Sequence, residues 1–114
     1  MFDYDPTQFA GMSKATLAKA LRAEGNDVGG GYSALNKQPF VEKFLSSPGF
    51  KRIYSAKRLN EYREQNHCPS NDRMLETILW LTQNMLLGSK QDMESIAAGL
   101  ERIQRHAGDV VKVG

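Results

Sequence analysis

The segment from Ser89 to Gly108 constrains the fold of this chain more than any other. Ser89 precedes Lys90, and Asp92 three residues on completes a capping-box pattern, with Asp in place of the more usual Glu. Met93, Ile96, Ala97, Leu100 and Ile103 recur at the i, i+3, i+4, i+7 spacing of an amphipathic helix. Gly108 is expected to end the helix after Arg102, Arg105 and His106, cations that suit a helix C-terminus. A helix with one apolar stripe must lay it against another element. In a chain of 114 residues that means one small core; at this size only about two-thirds of the unfolded surface can be buried. The domain is therefore expected over residues 1–108, with residues 109–114 as a flexible tail.

The rest of the chain supplies what that helix packs on. Phe2-Asp3-Tyr4-Asp5 alternates apolar and polar, as a half-buried strand does, and Pro6 ends it. Thr7–Met12 reads as a connecting loop bending at Gly11. Ser13 caps a second helix, Lys14–Glu24, with Leu17, Ala20, Leu21 and Ala10 or Ala15 sharing a face, and Gly25 stops it. Asn26–Tyr32 is a short strand with Gly29, Gly30 and Gly31 at its centre. Ser33–Gln38 reads as a loop. Pro39 opens a helix carrying Phe40, Val41, Phe44 and Leu45, which Ser46-Ser47-Pro48-Gly49 closes. Residues 50–68 read as a surface loop with one helical turn near Leu59–Arg63. A short helix over Asp72–Glu76, capped by Ser70 or Asn71, leads into Thr77–Thr82. Its Ile78, Leu79, Trp80 and Leu81 suit a buried strand, although a run apolar on every side also suits a helix. The sum is an α/β (α+β) domain: a three-stranded sheet with helices packed mainly on one face. Such a sheet leaves edges or a face for another domain to cover.

Composition removes several classes. The chain is 40% hydrophobic and 25% charged, ordinary values that argue against a disordered or collagenous protein. Its formal charge of +2 is too small to imply a polyanionic partner. There is no apolar run of the roughly 20 residues a membrane span requires, and Phe2 is followed at once by Asp3, Asp5 and Pro6, unlike a signal peptide. Cys68 is the single cysteine, which precludes an internal disulfide and fits a cytoplasmic location.

No motif here carries chemistry by itself. The glycine triplet opens no helix and is not a dinucleotide fingerprint. It reads either as a turn or bulge, or as a strand end bringing Tyr32, Asn36 and Lys37 towards a polar ligand. His67 and Cys68 are adjacent, but zinc needs further ligands at defined spacing and the other histidine is His106, so no metal site is assigned. Lys51, Arg52, Lys57, Arg58 and Arg63 against Glu61 give a local excess of four positive charges, with Phe50, Tyr54 and Tyr62 between them. That pattern fits a solvated loop, a phosphate patch or a nucleic-acid track. Trp80 sits in the most apolar run and is expected in the core. No catalytic or cofactor-binding residue is assigned within the chain.

The stretch Gly30-Gly31-Tyr32-Ser33-Ala34-Leu35-Asn36-Lys37-Gln38-Pro39-Phe40 resembles the segment of DegT/StrS-type aminotransferases in which a strand ending in Tyr leads to a P-L-(H/N) loop and a Pro-aromatic pair. Other segments follow in family order. Phe2–Asp5 is similar to the strand that opens the family's C-terminal domain. Phe9, Gly11, Ser13, Ala20, Leu21, Ala23, Glu24 and Gly25 match its following helix. Cys68-Pro69, then Leu79-Trp80-Leu81-Thr82-Gln83 and Leu86-Leu87-Gly88, resemble its C-P, strand and L-L-G end. Asp92-Met93, Ile96 and Leu100-Glu101-Arg102-Ile103 resemble its closing helix. The match covers nearly all of residues 2–106.

The resemblance implies the small C-terminal domain of a pyridoxal-phosphate-dependent enzyme with the aspartate-aminotransferase fold, which moves an amino group onto a keto-sugar or keto-cyclitol. It implies a homodimeric parent enzyme whose large domain, N-terminal to the part seen here, holds the cofactor and the Schiff-base lysine. This chain would be inactive alone and would contribute substrate-side contacts and dimer support. Tyr32, Asn36 and Lys37 are the carried-over substrate contacts. Ala34 and Asn36 stand where many sugar-acting members have Pro and His. The expected partners are the large domain or a second copy, and a sugar or cyclitol substrate, without nucleic acid or membrane. A free-standing interaction module and a small nucleic-acid-binding domain using Lys51–Arg63 are the alternatives.

Overall fold

A computed structural model describes residues 1–113. In chain order the elements are β1 (Phe2–Asp3), α1 (Lys14–Ala23), β2 (Val28–Gly29), α2 (Pro39–Leu45), α3 (Pro48–Ile53), α4 (Ala56–Gln65), α5 (Pro69–Thr77), β3 (Ile78–Leu81), α6 (Gln83–Leu86), α7 (Lys90–Arg105) and α8 (Ala107–Val113). They divide between two compact units, where the sequence reads as one domain. The first joins Met1–Gly31 to the residues from Glu76 onward, and the second is Tyr32–Leu75. The class is α+β, with a small antiparallel sheet among helices.

In the first unit β3 is the middle strand. β1 pairs with it through Phe2 opposite Leu79 and Asp3 opposite Ile78. β2 pairs on the other side through Val28 opposite Leu81 and Gly29 opposite Trp80. The strand reading of Ile78–Leu81 therefore holds over its helical alternative. A strand's two-residue period sends neighbours to opposite faces. Leu79 is fully buried, whereas Trp80 is 36% exposed. The expected burial of Trp80 is thus corrected: only one face of β3 meets the core. β2 is shorter than the expected strand over Asn26–Tyr32, because Gly31 turns to φ +76° and leaves extended geometry.

Helix α1 begins and ends where its signals lie. The Ser13 hydroxyl accepts the Thr16 N–H at 3.2 Å, and Gly25 adopts φ +85° beyond the C-terminus. Its buried face is Leu17, Ala18 and Leu21, so Ala18 takes the place foreseen for Ala10 or Ala15. The segment before it is more ordered than a loop. Pro6–Phe9 forms a 3-10 turn capped by the Asp5 carboxylate, and Phe9 and Met12 enter the core. Tyr4 closes that corner: its hydroxyl donates to the Met12 carbonyl at 2.8 Å, and its ring meets Phe9 edge-on at 5.8 Å.

Helix α7 carries the capping box. Asp92 accepts the Ser89 N–H at 2.7 Å, and the Ser89 hydroxyl accepts the Asp92 N–H at 3.2 Å. Asp serves because its shorter side chain still reaches the cap, and the bonds from Ser89 hold its carboxyl below its ordinary pKa. Replacing Ser89 with alanine is expected to lower the unfolding free energy of this unit by about 1 kcal/mol. Urea denaturation followed by Trp80 fluorescence checks it, since the only tryptophan lies in this unit. Ile103 is buried and Leu100 packs against the core, but Ala97 is exposed. Gly108 does not end the helix. α7 stops at Arg105, and Ala107–Val113 forms α8, where a tail is expected from Asp109. Ala107 is buried and Val110 packs on the same core, which anchors the extra turns.

The second unit holds the largest departure from the sequence reading. Residues expected as a loop form α3 and α4. Ser47 accepts the Phe50 N–H at 3.3 Å with Pro48 in the first turn, and Ser55 accepts the Arg58 N–H at 3.2 Å. Lys57 and Arg58 both face Glu61 along α4, at 3.9 and 3.7 Å. Helix α5 starts at Pro69 itself and runs to Thr77, longer than the expected Asp72–Glu76.

Candidate functional site

Asn36 and Lys37 lie in a 3-10 turn, Leu35–Lys37, that leads into α2 of the second unit. Gln38 ties the turn together, its amide donating to the Ser33 hydroxyl at 2.7 Å and to the Ala34 carbonyl at 3.3 Å. Pro39, with no N–H to satisfy, then starts the helix. The Asn36 amide donates to the Asn66 carbonyl just past α4, at 2.7 Å. The Lys37 ammonium pairs with Asp72 of α5 at 2.8 Å. Both candidates are therefore fixed to helices that follow much later in the chain.

They line one small cavity of about 200 Å³ of mixed lining, with Gln38, Glu42, Arg63 and Asn66 as its other polar residues and Pro39, Val41, Leu45 and Tyr62 as the rest. Tyr32, the third candidate, is outside it and 75% exposed. Local sequence did not reveal Glu42, Asn66 and Asp72, and it marked Arg63 only as part of the basic run. Each meets its partner across a long chain separation, which no helical or strand period encodes. Asp72 has one further property: its second carboxylate oxygen is buried without a hydrogen-bond partner. A buried unpaired oxygen is unfavourable, so the contact with Lys37 must carry most of that carboxylate's compensation. The Lys37 ammonium is thus held at one edge of the cavity, with 60% of its side chain exposed.

Arg63 grips Glu42 through two bonds, Nε to Oε2 at 3.0 Å and Nη2 to Oε1 at 2.8 Å. Those bonds, helped by the Ser46 hydroxyl, hold the Glu42 carboxyl at about 2. Arg63 is raised in turn by the same contact. A depressed carboxyl stabilises the folded state above its unfolded pKa, and this contribution is lost as pH falls through the folded value. Amide protection in α2 and α4 is therefore expected to decline between about pH 4.5 and pH 2. Glu42→Gln removes the pH-dependent part, which hydrogen exchange would show as a flat profile. The pair is exposed to solvent, so the effect is small and shrinks with salt.

The glycine triplet resolves into packing. A Cβ on Gly31 would lie 2.9 Å from the Trp80 indole nitrogen, and Gly29 sits opposite Trp80 in the ladder. The close approach is thus made by an indole of the same unit. Arg22 and Lys14 donate to the carbonyls of Val28 and Gly30 at 2.6 and 2.8 Å, which covers polar groups along this stretch. The basic run 51–63 is helical and partly neutralised, with Lys57, Arg58 and Arg63 in ion pairs. Cys68 is exposed. Among the described residues no group of three or more His, Cys, Asp or Glu side chains is arranged to hold a metal ion. No helix among them is long and apolar enough to cross a membrane.

The chain matches no family model, no curated protein and no solved structure.

Proposed function

We propose that this chain is the small, substrate-side domain of a pyridoxal-phosphate-dependent aminotransferase of the DegT/StrS type, acting on a keto-sugar or keto-cyclitol. The reading is carried by one observation: the family-like segments occur in family order from Phe2 to Ile103. The antiparallel sheet of β1, β3 and β2, and the cavity beside Asn36 and Lys37, are compatible with it. A polyol is recognised by convergent hydrogen-bond donors and acceptors. Asn36, Lys37, Gln38, Asn66 and the Glu42–Arg63 pair supply both. Tyr32 then serves from outside the cavity. The cofactor's electron-sink chemistry and its Schiff-base lysine belong, in this reading, to a large domain outside these residues.

The test has two arms. Pyridoxal phosphate added to this chain, followed by borohydride, should leave no stoichiometric adduct at Lys37 by peptide mass spectrometry. One adduct per chain at Lys37 would overturn its assignment as a substrate contact. The reading frame upstream of Met1 in the source DNA should encode a large domain with a Schiff-base lysine. The joined protein should then transfer an amino group from glutamate or glutamine to a keto-sugar or keto-cyclitol. A stop codon with a ribosome site directly before Met1 would favour a free-standing interaction module instead.

A further inference from the structure

The second unit contains a different concavity, lined by α2, α3 and α4 and by Tyr54 between the last two. Its volume is about 390 Å³, at the small end of the ~300–1,000 Å³ range of ligand pockets. Leu45 and Leu59, each 6% exposed, form its floor. Four rings run around it in sequence: Phe40 to Phe44 at 6.2 Å, Phe44 to Phe50 at 6.3 Å, and Phe50 to Tyr54 at 5.6 Å. Two of these rings stay half in water, Phe40 at 51% and Phe44 at 56% exposed. With Tyr62, five aromatic side chains line this hollow, while Leu45 and Leu59 are the buried residues of α2–α4.

One cation lines the hollow, Arg58. Its carboxylate neighbour Glu61 stands at 3.7 Å, beyond hydrogen-bond length, and is shared with Lys57 at 3.9 Å. Two cations against one carboxylate leave positive charge at the rim. The other nearby carboxylate, Glu42, is already taken by Arg63 and Ser46. Arg58 thus has one long ion pair, with Glu61, and an aromatic surface beside it.

We propose that this aromatic hollow binds a small planar aromatic acid, with its ring against Phe44, Phe50 and Tyr54 and its acid group on Arg58. Offset and edge-on contacts with those rings supply shape, and a charge-assisted bond from the guanidinium supplies direction. A polyol fits poorly, because beside Arg58 only the hydroxyls of Tyr54 and Tyr62 offer side-chain polar atoms in the lining. The site adjoins the cavity at Asn36 and Lys37 and shares Val41, Leu45 and Tyr62 with it, but it stands or falls independently of the aminotransferase reading.

Two fluorescent probes of nearly equal shape test it on the whole chain: 8-anilinonaphthalene-1-sulfonate, an anion, and its neutral analogue N-phenyl-1-naphthylamine. The sulfonate is expected to bind one per chain, and Arg58→Glu to weaken it about tenfold. The same change should leave the neutral probe within about twofold, because the rings remain. Phe44→Ala should weaken both probes, and Glu61→Gln should tighten only the sulfonate. Arg58 is 55% exposed, so its replacement leaves the fold intact, which circular dichroism verifies. Unchanged sulfonate affinity in Arg58→Glu overturns the proposal, as does an equal loss for both probes in that variant. Binding that disappears as the chain self-associates also overturns it, because a second copy would then be the occupant.

Discussion

Replacing Leu79 with alanine is expected to lower the unfolding free energy of the first unit by about 3 kcal/mol. Leu79 is fully buried, at the centre of a cluster that includes Tyr4, Leu17, Leu21, Val28 and Ile103. Truncation removes apolar contact and leaves a void, and the cost depends on whether neighbours can close it. Here they are restrained, because β3 is hydrogen-bonded to β1 on one side and β2 on the other. Urea denaturation followed by Trp80 fluorescence measures the effect, and the reporter is the adjacent residue on the opposite face. Leu79→Met, which nearly conserves volume, should cost less than about 1.5 kcal/mol. If alanine cost less than about 1 kcal/mol, the tight packing around β3 would be refuted.

Gly31→Ala is expected to cost about 2–3 kcal/mol, from two separable sources. At φ +76° any L side chain is strained, and a Cβ would meet the Trp80 indole at 2.9 Å. Gly25 offers the matched comparison: its φ is +85°, but nothing lies within 4 Å of a Cβ there. Gly25→Ala should therefore show the backbone part alone, about 1 kcal/mol. In a Trp80→Ala background, Gly31→Ala should fall to the same value, as a double-mutant cycle followed by circular dichroism would show. Equal costs in both backgrounds would mean that the indole does not press on Gly31.

Signals that act over three or four residues were legible in the sequence. Ser13, Gly25 and the Ser89–Asp92 box mark the ends of α1 and the start of α7 because each bonds or bends its own neighbourhood. Features that depend on which face meets the core were not. Ile78–Leu81 is apolar throughout, so sequence cannot tell that Leu79 turns inward and Trp80 outward. Helices α3 and α4 escaped because they bury little: Leu59 is the only buried residue between them. They rest instead on the hydroxyl caps of Ser47 and Ser55 and on ion pairs along α4, signals that a search for apolar periodicity passes over. In the candidate site, Asn36 and Lys37 were singled out from a family-like loop. Their partners Asn66 and Asp72, and the Glu42–Arg63 pair, depend on helices whose placement the residues alone do not state.

The place of β3 has a consequence for biosynthesis. Both of its sheet neighbours are made first, and residues 32–75 are made before it arrives. A chain emerging from the ribosome can close the short-range contacts of α2, α3 and α4 while β1 and β2 still wait unpaired. The first unit then completes last, by joining segments that synthesis has held far apart, which is slow relative to local closure. Nascent chains arrested before Ile78 should therefore leave Leu17 and Leu21 open to solvent and to chaperones.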